Sequence, residues 1–240
     1  MFYTIIPTIL FVFTSLIPNN TTSSETKILK PIVYAKTIES NVEAKIESAY
    51  NNLHSAKFAL PKLESFAVAL KGYYSLKEKG LIKKDILTII DFSMSSNSKR
   101  LWVIDLITGN VLFNSLVAHG RNTGEEFASS FSNANESYKS SLGFYSTGEI
   151  YNGKHGMSLR LDGLEKGVND NARARGVVMH AADYVSDSFI KNNRRLGRSQ
   201  GCPAVPNELS KEIINVIKDK SCFFIYHPSR VSNFGKKSIS

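Results

Sequence analysis

The residue types in this sequence that could do chemistry centre on one cysteine and one histidine. Cys202 stands in a glycine-flanked loop, Arg198-Ser199-Gln200-Gly201-Cys202-Pro203-Ala204, and His180 ends the apolar run Gly176-Val177-Val178-Met179-His180. A thiol beside an imidazole is the equipment of a cysteine nucleophile with its general base. The ring takes the thiol proton, and the cation so formed favours the thiolate and holds an acid ready for the leaving group. Arg198, four residues before the cysteine, adds to the positive field. Gly201 lets the backbone come close to a substrate carbonyl. Pro203 has no N–H, so an oxyanion hole must draw its donors from Gly201, Cys202 or farther upstream. Proline also steers Cys202 away from helical geometry, which predicts an extended turn at the thiol, ahead of the next helix.

Other readings compete for these residues. Cys202 could be structural or paired with Cys222, the chain's other cysteine. Cys222, followed by Phe223 and Phe224 in an apolar run, reads as a small buried hydrophobe. His180 could be a satisfied core histidine. His119 and His155 sit beside glycines and are candidate substrate contacts at a pocket edge, whereas His54 and His227 read as surface or packing residues. Arg160 and Asp162 suit a structural ion pair with each other or with a neighbour. His180 and Asp187 also fit a His-x6-Asp spacing found in some zinc peptidases, with His119 or His155 as a third ligand. That alternative lacks the downstream Glu-x-His it needs, because the last histidine, His227, follows Ile225-Tyr226. Two cysteines make neither a disulfide framework nor a CxxC metal knuckle.

The elements that must hold these groups follow from periodicity. From Lys36 to about Lys84, apolar residues recur at three- and four-residue steps (Ile38, Val42, Ile46; Leu63, Phe66, Leu70), which predicts two helices broken before Pro61. From Ile86 the period changes. Ile86–Phe92, Leu101–Asp105 and Val111–Val117 read as an antiparallel meander with a turn at Thr108-Gly109-Asn110. A polar stretch from Gly120 to Ser141 reads as a mobile loop over a cleft. Gly143–Ile150, Met157–Leu161 and Gly176–His180 follow as strands, Pro206–Asp219 as a helix with Pro206 in its first turn, and Cys222–Tyr226 as a closing strand. The fold class expected is α+β, mainly β after a short helical region. Its boundaries are 1–35 for an export segment with linker, 36–85 for the helices and 86–240 for a catalytic domain.

At 240 residues, with 42% hydrophobic and 21% charged, the chain can bury a core without staples. A formal charge of +9 suits an anionic partner. The basic residues are spread out and no recognition-helix or RNA-binding signature occurs, which argues against nucleic acid. Phe2 to Ile17 is apolar and uncharged, of the length of a signal-peptide core, with Val33-Tyr34-Ala35 as a cleavage site downstream. Its alternatives are a retained membrane anchor and a buried helix. The first two readings export the rest of the chain to the periplasm or cell envelope.

The segment from His180 to Ala204 resembles the L,D-transpeptidase family of peptidoglycan enzymes, whose signature is a histidine followed at a distance by Ser-His-Gly-Cys. In its Gly-Arg-Ser-x-Gly-Cys-Pro form it is similar to the murein L,D-transpeptidase catalytic domain branch. The likeness runs from about Ile86 to Tyr226 and takes in LWVIDL, SSLGFY and SLRLDGLE. The resemblance implies a β-rich domain that uses no metal or organic cofactor. In it Cys202 attacks the bond between a diamino acid and the terminal D-alanine of a stem tetrapeptide, and an amine of another stem or water resolves the thioester. It further implies His180 as base and later acid, and Ser199 and Gly201 as shapers of the cysteine loop. Arg198 matches the motif, and its charge suits a substrate carboxylate or the thiolate. Gln200 replaces the usual histidine, and Ala204 stands where the wider family often has a polar residue. A non-catalytic wall-binding module that uses the basic surface is the rival from another class.

Overall fold

A computed structural model of the chain describes residues 42–229 apart from 155, all within one unit, Ser40–Ser240. The expected export segment and its alternatives lie outside the described residues, as does His155. Among the described residues no helix is long and apolar enough to cross a membrane.

Among the described residues eight strands form one sheet, in the order β3 (Val111–Ser115), β2 (Leu101–Asp105), β1 (Ile86–Asp91), β8 (Cys222–Tyr226), β4 (Gly143–Gly153), β5 (Gly156–Gly163), β6 (Val178–Ala181) and β7 (Ala204–Val205). The meander forms as the sequence suggests: β1 (Ile86–Asp91), β2 (Leu101–Asp105) and β3 (Val111–Ser115) pair antiparallel. Asp105 builds the β2–β3 turn by accepting the N–H of Ile107 at 2.9 Å. Gly109 completes the turn at φ +73, where a Cβ would stand 2.4 Å from the Asn52 carbonyl. The long hairpin of β4 (Gly143–Gly153) and β5 (Gly156–Gly163) continues the sheet. The last strand, β8 (Cys222–Tyr226), enters its middle, parallel to β1 and antiparallel to β4. Two short strands, β6 (Val178–Ala181) and β7 (Ala204–Val205), finish one edge in parallel.

The edges then meet. Ala118, three residues beyond β3, donates to the Ala204 carbonyl of β7 at 2.8 Å and accepts its N–H at 3.4 Å. The sheet thus curls toward a barrel, and the curl brings the cysteine segment against the chain leaving β3.

Both faces of the central strands are covered, which is why they read as continuous apolar runs rather than alternating ones. On β8, Phe223 and Ile225 join the core on one face, and Cys222, Phe224 and Tyr226 join the core on the other. The first face packs against α4 (Asn207–Ile217) through Ile213, Ile214 and Ile217. The second packs against α1 (42–51) and α2 (Leu63–Glu78), which bury Ile46, Phe66 and Leu70. At roughly 25 cal/mol per Å² of apolar surface, these two layers supply the main favourable contribution to folding.

Helix α2 stops six residues before the expected Lys84. Gly80, at φ +68, donates to Lys77 O, and Leu81 reaches back to Leu76 O at 3.0 Å, the paired bonds of a left-handed helix terminus. A further helix, α3 (Asp187–Asn193), is hard to see in the sequence because it is short and none of its side chains is fully buried, with Ile190 packing only partly on a neighbouring apolar cluster, so no apolar stripe repeats. Its start is fixed by Ser186, whose Oγ accepts the Phe189 N–H at 3.3 Å. Arg160 and Asp162 are not bonded to each other. Arg160 pairs with Glu149 at 3.0 Å and Asp162 with Arg173, so that β4, β5 and the 165–176 segment are tied together.

Candidate active site

Strand β6 carries His180 and β7 begins two residues after Cys202. Their parallel pairing sets His180 opposite Ala204, and His180 lies opposite Ser158 of β5 on its other side. The ladder also engages the motif itself, because the His180 N–H donates to Pro203 O at 3.3 Å and the Ala182 N–H to Val205 O at 3.0 Å. The crossover between the strands contains α3 and returns over a small apolar cluster that includes Leu116, Val185 and Leu196. Two residues distant in sequence thereby come to line one cavity of about 560 Å³, together with Ser158, Arg175 and Tyr184.

The cysteine loop is held from several sides. Ser199 Oγ donates to Cys202 O at 2.6 Å and accepts the Gly201 N–H at 3.0 Å. The Ser199 backbone is also bridged to the 118–121 segment, its N–H donating to His119 O at 3.0 Å and its carbonyl accepting from the Arg121 N–H at 2.8 Å. Gly201 has φ +118, a conformation open to glycine, and a Cβ there would lie 2.8 Å from Lys139 O. Its carbonyl accepts a bond from Ser140 Oγ at 3.1 Å. The Gly201 N–H is engaged by Ser199 and Pro203 has none, so the backbone donors that the loop can still offer beside the thiol, among the described residues, are the N–H groups of Cys202 and Gln200.

Cys202 is partly exposed to the cavity, and both it and Cys222 are free thiols. Burial pushes the Cys202 thiol above its ordinary range, while the Val178 N–H and the charges of Arg175 and Lys154 pull it down. Cys222 is fully buried in the face that meets α2, which drives its thiol far up. His180 is 4% exposed, and its Nδ1 lies 2.8 Å from Ala181 O. A carbonyl only accepts, so Nδ1 carries the hydrogen and Nε2 is the basic nitrogen of the neutral ring.

His119, expected at the pocket edge, is a core residue, 1% exposed, and does not line the cavity. Its Nδ1 faces Arg100 Nη2 at 2.9 Å and its Nε2 faces Gly124 O at 3.2 Å. The guanidinium can only donate, so Nδ1 accepts and Nε2–H donates. Burial and the Arg100 charge depress the ring to about 4. The glycine beside it in sequence suggested a cleft loop, but here glycine serves close packing: a Cβ on Gly120 would lie 2.9 Å from the Gly201 Cα. His119→Ala should leave a buried guanidinium N–H without its acceptor and cost about 1–3 kcal/mol. Urea unfolding should show this as a lower midpoint, with turnover per folded molecule kept.

Arg198 lines the cavity but its charge is already answered. Its Nη1 lies 2.6 Å from Glu125 Oε1 and also donates to Arg121 O and Gly124 O, which pins the 121–125 turn. Gln200 is exposed on the cavity wall. Ala204 is fully buried in β7, so its departure from the family pattern removes no cavity contact. The polar stretch 120–141 does border the cleft, through Asn135, Glu136 and Tyr138. Glu136 and Tyr138 sit at φ +55 and +52, uncommon for non-glycine residues and invisible in a sequence pattern. Arg121 stacks 3.9 Å over the Tyr138 ring. Arg175, Tyr184 and the Val178 N–H escape sequence reasoning because no motif or period marks them. Among the described residues no three His, Cys, Asp or Glu side chains stand where they could share a metal ion.

Compared with known proteins, residues 59–226 match the model of the L,D-transpeptidase catalytic domain. No curated protein matches the chain. Among solved structures it is similar to an L,D-transpeptidase from Mycobacterium smegmatis, with 11% identity over 60% of this chain and 59% of that one and a TM-score of 0.37. It is also similar to the helical cell shape determining protein Pgp2 from Campylobacter jejuni, with 15% identity over 67% and 56% and a TM-score of 0.37. An L,D-transpeptidase from Xylanimonas cellulosilytica has 12% identity over 78% of this chain and 93% of its own, at a TM-score of 0.35. The chain spans less than two thirds of the length of the first two.

Proposed function

Because the chain belongs to the L,D-transpeptidase catalytic domain family, matched over residues 59–226, we propose that it is an exported enzyme acting on peptidoglycan stem tetrapeptides through Cys202. One observation carries this reading: the β6–β7 ladder ties His180 to the residue after Cys202, and both side chains open on one cavity. In the proposed reaction His180 Nε2 takes the thiol proton as sulfur adds to the carbonyl joining the diamino acid to the terminal D-alanine. Burial favours the neutral thiol, so proton transfer accompanies attack rather than preceding it.

The oxyanion is met by the N–H of Cys202, with Gln200 upstream as the second donor, while Ser199 and Gly201 keep the loop in the conformation that presents them. The C–N bond then breaks, the imidazolium returns its proton to the departing D-alanine amine, and a thioester remains on Cys202. An amine of a second stem resolves it to a crosslink, or water resolves it to a tripeptide. The basic groups Lys154 and Arg175 around the cavity suit an acidic, carboxylate-bearing stem. Arg198, paired with Glu125, serves mainly to hold the 121–125 turn.

The test is to incubate the reduced, folded full chain with disaccharide-tetrapeptide and follow the products by chromatography with mass spectrometry. Loss of the terminal D-alanine is expected, with crosslinked dimer marking transpeptidation and free tripeptide marking hydrolysis. A tetrapeptide left untouched overturns the proposal and favours a wall-binding role.

A further inference from the structure

Two arginines line the cavity, and their charges are treated differently. Arg198 is paired with Glu125. Arg175 is half-buried, and no carboxylate of the described residues lies within ion-pair distance of it. Its terminal N–H groups go to neutral acceptors: Nη1 donates to Ser132 O at 2.9 Å and Ser141 Oγ at 2.5 Å, and Nη2 to Lys139 O at 2.7 Å and Ser137 Oγ at 3.3 Å. All four lie on the 132–141 segment that forms the Tyr138 wall. A half-buried cation held only by dipoles still lacks a counter-charge, which is costly unless an anion arrives. The guanidinium faces the cysteine loop, since a Cβ on Gly201 would come within 3.4 Å of its Nη2. Arg175 and Cys202 also sense each other's charge.

We propose that Arg175 is a positioning residue with two tasks: it supplies the standing positive charge that favours Cys202 as thiolate, and it clasps the 132–141 wall over the cavity. The inference rests on the reading of Cys202 as the reacting thiol. Other groups around the thiol are poorer candidates for the first task. Lys154, on the β4–β5 turn, is exposed and screened by water. Glu136, across the cavity, is exposed and acts in the opposite sense. His180 becomes charged only by taking a proton, and Tyr138, Tyr151 and Tyr184 bring phenols.

The test is the rate at which Cys202 displaces iodide from iodoacetamide as a function of pH, read on its own peptide by mass spectrometry in the full chain. Arg175→Met should move the midpoint of the profile up by about one pH unit, so that alkylation at a fixed pH below it falls about tenfold. Arg175→Lys, which keeps the charge but not the planar fork, should retain most of the rate. The double variant Ser137→Ala/Ser141→Ala loosens the clasp alone and should leave the profile in place. A purely structural Arg175 moves none of the profiles, and superposition of the Arg175→Met curve on the wild type overturns the proposal. If Arg175→Met shows no folding transition, Arg175→Gln, neutral but able to bond the loop, replaces it with the same two outcomes. Alkylation needs no turnover, so retained trimming in Cys202→Ala sinks the nucleophile reading without touching this measurement.

Discussion

Cys202→Ala should abolish release of D-alanine from the disaccharide-tetrapeptide, a loss on the order of 10⁴-fold or more, with the thermal midpoint close to that of the wild type. Removing the nucleophile of an acyl-transfer site takes away the covalent route itself, and what is left is binding and the oxyanion donors. The fold should survive, because the Cys202 side chain is partly exposed and the loop is held by Ser199, Gly201 and Ser140 rather than by sulfur. Cys222→Ala supplies the contrast. That thiol is buried between the sheet and α2, opposite Leu87 of β1 and Ser146 of β4. Trimming it should cost about 1 kcal/mol of stability, in the range of small core deletions, and leave turnover in place. A chain that loses activity with Cys222 and keeps it without Cys202 has another chemistry.

The order of elements is open to sequence reasoning where burial imposes a period. The meander, the α4 stripe of Ile213, Ile214 and Ile217, and the closing strand at Cys222–Tyr226 all declare themselves, because each buries a regular face. What the pattern does not carry is pairing. Ala204 and Val205 are too few to show alternation, yet their ladder with His180 and Ala181 assembles the site. Helix α3 escapes notice for a different reason, being seven residues long with no fully buried side chain, so that no repeat announces it. Gly80 does hold the signal for the end of α2, in a conformation that glycine reaches without strain. Among the site residues, motif and chemistry point to Cys202 and His180, which do line one cavity. Chemistry also points to His119, because a histidine next to glycine looks the same in sequence whether the glycine opens a cleft or permits close packing. Arg175 is hidden in Asn171-Ala172-Arg173-Ala174-Arg175, where nothing distinguishes it from Arg173, which pairs with Glu149 and Asp162 at the surface.

The second large effect is expected from His180→Ala, a fall of about 10²–10⁴-fold in kcat, the usual worth of a positioned general base and acid. KM should change far less, because the ring is 4% exposed and its Nδ1–H is held by Ala181 O, so it offers substrate little surface while Nε2 is the nitrogen that can accept a proton. Backbone pairing with Ser158 and Ala204 does not depend on the side chain, so the β5–β6–β7 edge should stay intact. The variant leaves a ring-sized space beside a cavity of about 560 Å³. Imidazole added to the assay can enter that space and accept the proton, so partial recovery that rises with imidazole concentration is expected for His180→Ala and none for Cys202→Ala. A variant that loses activity only in proportion to its loss of folded protein, with no rescue, would return His180 to the role of a core histidine. The proton would then have to leave the thiol by another path, and Tyr184 is a poor one, since burial pushes its phenol up to about 12 and makes it a donor rather than an acceptor near neutral pH.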